Sequence, residues 1–225
     1  MRSFAWMDLL HQISLPGTVI AVGHHNRQYK LEDEALHDDE LRIVKTLSPR
    51  KQTEWIASRE LLYKITNLPV RVACLYDDFG KPYLQNSQRQ ISISHSERWC
   101  AAMVSDRACG VDIQMYTPTV RRIAGRFLTH DDLFAAETSK HPMTYLHVLW
   151  GAKECLYKAY GKRKLGFREH IFIRHLDFAT GKGYGEIEYE GLHLFYEIHF
   201  RLLPETAWVF CIEHPAPVID SHHEL

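Results

Sequence analysis

The sequence predicts a mixed α/β chain of the α+β type, and three observations carry that prediction. Stretches such as QISISHS (90–96) and GVDIQ (110–114) alternate apolar and polar residues with the period of two that strand geometry imposes. Stretches such as 49–66 and 143–160 place apolar residues at helical spacing between start and stop signals. Both halves follow helices with strands, an order that permits two similar subdomains. At 225 residues, 45% hydrophobic and 24% charged, the chain can bury a substantial core, as one large domain or two small ones.

After a loose start, 18–22 reads as a strand and 31–47 as a helix, with Leu36, Leu41, Val44 and Leu47 on its buried side. A second helix starts at Ser48-Pro49, serine as cap and proline in the first turn, and stops at Asn67 and Pro69. Within it Trp55, Ile56, Leu62 and Tyr63 surround Arg59. Such an arginine reaches water, pairs with a glutamate or meets an anion. VRVACLY (70–76) is a strand, and 77–84 a turn and short strand in which Gly80 and Pro82 pin Lys81 at a loop mouth. Segment 115–136 reads as a short helix, a break, and a second start capped by Thr129 or His130-Asp131.

The next helix, 143–160, ends at Gly161. It aligns Trp150, Glu154 and Lys158 in one row, with Lys153 and Tyr157 in the adjoining one. Taken alone, Glu154 and Lys158 are an exposed ion pair worth about 0.3–0.5 kcal/mol. The basic cluster Lys162-Arg163-Lys164 follows, and from His170 on strands alternate, with Glu190-Gly191 as a tight turn and AWVFCIE (207–213) as a last buried strand.

Stretch 90–114 sets polar groups where a packed core would not want them. Ser92 and Ser94 share one face of their strand, and Asp112 and Gln114 project side by side from another. WCAAMVS (99–105) lies between them and is apolar enough to be buried, so the three segments are expected to pair as neighbours in one sheet. A sheet edge with one wet face would also account for them.

A net charge of −1 gives no footprint for a phosphate backbone, which disfavours nucleic-acid and membrane-surface roles. Five scattered cysteines without a C-x-x-C pair read as reduced, packed thiols of a cytoplasmic protein. The doublets His24-His25 and His222-His223 lack further ligands at zinc spacing and read as surface histidines. The amino-terminal segment is too short and interrupted for a signal peptide, and no apolar run is long enough to span a bilayer.

Taken as an ordered set, the motifs acquire a further meaning. They are R-x-x-x-E-x-x-x-x-R (Arg50, Glu54, Arg59), G-K-P (80–82), I-S-H-S (93–96), G-V-D-I (110–113) and W-x-x-K-E-x-x-x-K (150–158). The set resembles the signature of the 4′-phosphopantetheinyl transferases, and the chain length resembles their longer, monomeric Sfp-type class rather than the short trimeric synthases. RFLTHDD (126–132) is similar to the phenylalanine-rich segment such enzymes carry.

The resemblance implies a pseudo-twofold pair of subdomains, 1–112 for nucleotide and phosphate contacts and 113–225 for the metal, the catalytic helix and carrier docking. It implies coenzyme A and Mg2+, with Mn2+ as an alternative, in the cleft between them. The reaction would be of the holo-[acyl-carrier-protein] synthase type: the phosphopantetheine arm moves to a serine of an apo acyl or peptidyl carrier protein, and 3′,5′-adenosine bisphosphate leaves. Asp112 and Glu154 would be metal ligands and, with Lys158, the catalytic residues. Gln114 stands where many relatives carry a second acid, and it would reach the metal directly or through water. Arg50, Arg59, Lys81, Pro82, Ser94 and His95 would contact coenzyme A. A catalytically silent relative that binds coenzyme A or a carrier is the alternative, motivated by Gln114.

Overall fold

The computed structural model describes residues 7–25, 36–162 and 164–215. Its amino-terminal sheet holds β1 (Met7–Leu15), β2 (Thr18–His25), β3 (Cys74–Tyr76), β4 (Pro82–Leu84), β5 (Gln90–Ser96) and β6 (Trp99–Ser105), in the order β1-β2-β6-β5-β4-β3. Between β2 and β3 come α1 (Asp38–Val44) and α2 (Pro49–Thr66). The second sheet begins with β7 (Cys109–Met115), after which α3 (Thr119–Ile123), α4 (His130–Thr138) and α5 (Pro142–Tyr160) intervene. It is completed by β8 (Ile171–Asp177), β9 (Lys182–Tyr189), β10 (Leu192–Leu202) and β11 (Thr206–His214), in the order β7-β11-β10-β9-β8. All of these pairings are antiparallel.

With β1 set aside, β2-β6-β5-β4-β3 and β7-β11-β10-β9-β8 trace the same path. A first strand leads through helices to a four-stranded meander whose last strand returns beside the first. The two similar subdomains expected from the order of helices and strands are therefore present as two antiparallel sheets packed with helices.

The layers run helix, sheet, sheet, helix. α2 covers one face of the first sheet through Ile56, Leu61 and Leu62 on Ile91, Ala102 and Val104. The other face meets the second sheet, where Ile20, Val22 and Met103 pack against Val111, Trp208 and Phe210. α5 covers the far face of the second sheet with Val148, Ala152 and Leu156 on Ile187, Ile198 and Val209. This burial of apolar surface is the main force holding the sheets and helices together.

Several expectations change. The loose start is a strand: Pro16-Gly17 makes a two-residue hairpin turn between β1 and β2, and Gly17 takes the left-handed backbone (φ +68°) that a side chain would resist. The strand expected over 70–76 contracts to β3. Of the helix expected over 31–47, residues 31–35 lie outside the described residues, as do Arg163, His222 and His223; its helical part is α1. His24 and His25 are half-buried rather than on the surface, His24 lying edge-on to Trp99. Stretch 90–114 does not form one sheet, because β6 pairs with β5 and β2 while β7 pairs with β11. Alternation reveals a strand but not which neighbour takes its hydrogen bonds. The five cysteines are buried free thiols. No helix among the described residues is long and apolar enough to cross a membrane.

Candidate active site

β7 is an edge strand of the second sheet, yet its outer N–H groups do not face water. Those of Val111, Ile113 and Met115 donate to the hydroxyls of Ser92 (3.0 Å), Ser94 (3.3 Å) and Ser96 (3.2 Å) on β5. Two period-two patterns mesh here, and the alternating serines exist to satisfy the edge of the other sheet. From above, α5 sits directly on β7, since a Cβ on Gly110 would overlap the Cys155 carbonyl. Glycine in the G-V-D-I motif thus sets how close the helix can come.

That closeness lets Lys158 Nζ reach Asp112 Oδ1 (2.8 Å), the Val111 carbonyl (3.0 Å) and Ser94 Oγ (3.3 Å). Ser94 in turn donates to Asp112 Oδ1 at 2.9 Å. The expected exposed pair of Glu154 and Lys158 is not what forms: Lys158, its side chain only 27% exposed, is spent on Asp112. Glu154 stands one turn earlier on α5, half-buried, with no hydrogen-bond partner among the described residues. Burial pushes its carboxyl above the usual range, Lys158 opposing and Asp112 adding to the rise. Burial pulls the Lys158 ammonium down, but the charges of Asp112, Cys155 and Glu154 outweigh that, and its pKa is raised.

Gln114 lies beside Asp112, its amide nitrogen 3.3 Å from Asp112 Oδ2 and 3.0 Å from the His147 carbonyl, its amide oxygen 3.0 Å from His147 Nδ1. On the same strand as Ser94, His95 Nδ1 is 3.5 Å from Glu54 Oε2, and Glu54 Oε1 accepts from Arg50 Nε at 2.9 Å. Burial lowers the His95 pKa; Glu54 opposes this, and the charges of Lys158, Arg59 and Arg50 add to it. Arg59 is 4% exposed, and among the described residues it pairs with no glutamate. Its guanidinium stacks on Trp55, donates to Tyr76 and leaves Nε without a partner.

A pocket of about 100 Å³ opens between the 79–82 turn, β5 and the end of α5, lined by Lys81, Pro82, Ser92, Tyr157, Lys158 and Lys162 among others. Lys81 spans the two halves here, donating to Gln90 (3.1 Å) and to the Ala159 carbonyl at the end of α5 (3.0 Å). Burial lowers its pKa. Asp112, Glu154, Lys158, Ser94 and Gln114 therefore form one cluster, and Lys158 joins it to the pocket of Lys81 and Pro82. His95 and Arg50 meet through Glu54, and Arg59 faces Trp55 and Tyr76 instead.

The oxygen set of Asp112 and Glu154, one carboxylate unpaired and the other neutralised by a lone ammonium, suits a hard divalent cation. A second trio, Glu186, Glu188 and His193, also brings its ligand atoms within 4.8 Å. There Arg174 already pairs with both glutamates, so the positive charge is supplied.

Sequence reasoning missed His147 and the inward role of Lys153. Lys153 is fully buried and donates to the carbonyls of Phe167 (2.9 Å) and Ile171 (2.7 Å), tying the chain after α5 to its middle. A lysine flanked by Ala152 and Glu154 gives no sign of that, whereas an internal histidine four residues before Gly151 could have been noticed as a buried polar group.

Residues 108–212 match the family described as the 4′-phosphopantetheinyl transferase superfamily. A 4′-phosphopantetheinyl transferase of Bacillus subtilis is 32% identical over 98 residues, covering 42% of this chain and 43% of that protein. The 4′-phosphopantetheinyl transferase gsp of Aneurinibacillus migulanus is 25% identical over 107 residues, 46% of this chain and 45% of that one. The matched stretch thus spans less than half the length of either relative. A solved holo-[acyl-carrier-protein] synthase from Neisseria meningitidis is similar over 48% of this chain and 97% of its own, at 23% identity and a TM-score of 0.37. The matched segment, just under half of the chain, carries β7 with Asp112 and α5 with Glu154 and Lys158, and over it the chain is similar to the 4′-phosphopantetheinyl transferase superfamily.

Proposed function

We propose that the chain transfers the 4′-phosphopantetheine arm of coenzyme A to a serine of an apo acyl or peptidyl carrier protein. The observation that carries this reading is the meeting of Asp112, Glu154 and Lys158 beside a pocket walled by Lys81 and Lys162. In that reading the serine oxygen attacks the pantetheine-side phosphorus, the bond to the bridging pyrophosphate oxygen breaks, and 3′,5′-adenosine bisphosphate leaves.

Asp112 and Glu154 would hold Mg2+, or Mn2+ in its place, with water completing the shell; the cation supplies neutralisation of charge on the pyrophosphate oxygens. Glu154, whose carboxyl burial makes more basic, takes the serine proton directly or through water. Lys158 then steadies the leaving phosphate or protonates it. Arg59, with an open Nε, together with Arg50, His95, Ser94, Lys81 and Pro82, would grip the nucleotide and its phosphates. In this division of labour residues 1–112 bind the nucleotide, and 113–225 supply the catalytic helix and the carrier contact. The protein is proposed to act as a cytoplasmic monomer of the Sfp type.

The test is mass spectrometry of a panel of apo carriers incubated with the protein, coenzyme A and Mg2+. Addition of one phosphopantetheine to at least one carrier is expected. Binding of coenzyme A or carrier without any mass gain would establish the silent relative instead. In a responsive pair, Asp112→Ala or Glu154→Ala should lower the rate at least ~100-fold with circular dichroism unchanged; full activity in either variant rejects the assignment.

A further inference from the structure

We infer that Gln114 is a positioning residue which, clamped by His147, orients Asp112 and keeps its own amide oxygen turned away from the metal. The inference rests on the reading of Asp112 and Glu154 as the metal pair; it replaces the ligand role expected of Gln114 and adds His147, which had none.

The Gln114 amide nitrogen faces the His147 carbonyl at 3.0 Å and Asp112 Oδ2 at 3.3 Å. Both are acceptors, so the NH2 group must lie on that side; the flipped amide would set its oxygen against two oxygens. With the amide so fixed, its oxygen faces His147 Nδ1 at 3.0 Å, and that nitrogen must carry the proton. His147 Nε2 is then an acceptor, and the Thr117 N–H donates to it at 3.0 Å, with the Thr117 carbonyl lying 3.1 Å away. One chain of donors and acceptors therefore runs from the backbone after β7, through a histidine that is 1% exposed, to the carboxylate of Asp112.

Asp112 is thereby held from both sides. Its Oδ1 takes the Ser94 hydroxyl and the Lys158 ammonium, and its Oδ2 takes the Gln114 amide. With its NH2 group on the Asp112 side, Gln114 could present oxygen to a cation there only by flipping the amide, which would set NH2 against the His147 Nδ1–H and leave that buried imidazole N–H unpaired, a loss on the scale of a whole hydrogen bond. Orientation by a hydrogen-bonded neighbour is how ligating carboxylates are commonly tuned.

The test measures Mn2+ affinity by electron paramagnetic resonance on the full chain without coenzyme A, with thermal melting to confirm folding. Gln114→Ala should weaken binding about 10-fold. His147→Gln, which retains an amide towards Thr117 but no donor at the Nδ1 position, should weaken it equally, and the double variant should be no worse than either single one. His147→Asn restores a donor at the Nδ1 position and should bind within about 2-fold of wild type. Loss in Gln114→Ala with wild-type binding in His147→Gln would make Gln114 a ligand in its own right and overturn the proposal. So would wild-type binding in Gln114→Ala. A measurement free of variants is the long-range proton–nitrogen spectrum of wild-type His147. It should report the Nδ1-protonated tautomer with and without saturating Mg2+, and a change of tautomer on adding Mg2+ contradicts the clamp. Asp112→Ala serves as the separate control: undiminished Mn2+ binding there would sink the metal reading itself rather than the role of Gln114.

Discussion

Glu154 is the residue whose surroundings cost the fold most plainly, a half-buried carboxyl without a hydrogen-bond partner among the described residues. Its carboxyl is held above its ordinary 4.5 chiefly by burial. A raised folded value means that the fold favours the protonated form. That stabilising contribution is complete below the ordinary value and is lost as pH rises through the raised one. In metal-free buffer, Glu154→Gln should therefore melt above wild type at pH 7, by about 2–4 °C for each kcal/mol relieved. The gap should close as pH falls towards 4.5. A gap that stays constant with pH, or a variant that melts lower, would contradict this account of Glu154. Ser94 makes the opposite trade, because its hydroxyl both accepts the Ile113 N–H and donates to Asp112. Ser94→Ala should cost about 1–3 kcal/mol of stability and lower carrier modification as well. At this scale the spacing of Trp150, Glu154 and Lys158 was legible. The pairing was not, because Asp112 competes for Lys158 from 46 residues away. His147 and Gln114, 33 residues apart, were illegible for the same reason.

Among the elements, β5, β7 and α5 meet by interlocking that spares no volume. Ser92→Ala leaves the buried Val111 N–H without an acceptor and should cost about 1–3 kcal/mol, read from denaturant melts. Gly110→Ala must push α5 off β7 and should cost about 2–4 kcal/mol while separating Lys158 from Asp112, so denaturant melts and activity fall together. Activity retained at full level in Gly110→Ala would show that the close approach does not set the site. Caps and turns made α2, the start of α4 at Thr129 and the end of α5 at Gly161 readable, because those signals are local. β1 escaped because LLHQISL lacks clean alternation, although Pro16-Gly17 marked its hairpin. The mistaken single sheet of 90–114 came from hydroxyls that replace a strand as acceptors, which periodicity does not express.

For the molecule as a whole, the repeated succession of helices and strands announced two similar halves, and the strand orders realise them. What the succession did not carry is how the halves face each other. That depends on the apolar layer of Ile20, Met103, Trp208 and Phe210, which sets β5 against β7 and so brings serines from one half to the acid of the other. The site is a product of that contact: Ser94, Lys81 and His95 come from the first sheet and its turns, Asp112, Glu154 and Lys158 from the second sheet and its helix.

The convergence of two distant carboxylates on one cation is tested most directly by anomalous diffraction from crystals soaked in Mn2+. A peak is expected between β7 and α5, about 2.0–2.3 Å from a carboxylate oxygen of both Asp112 and Glu154, with water filling the remaining positions. A peak bound by only one of them, or found instead at Glu186, Glu188 and His193, would contradict it.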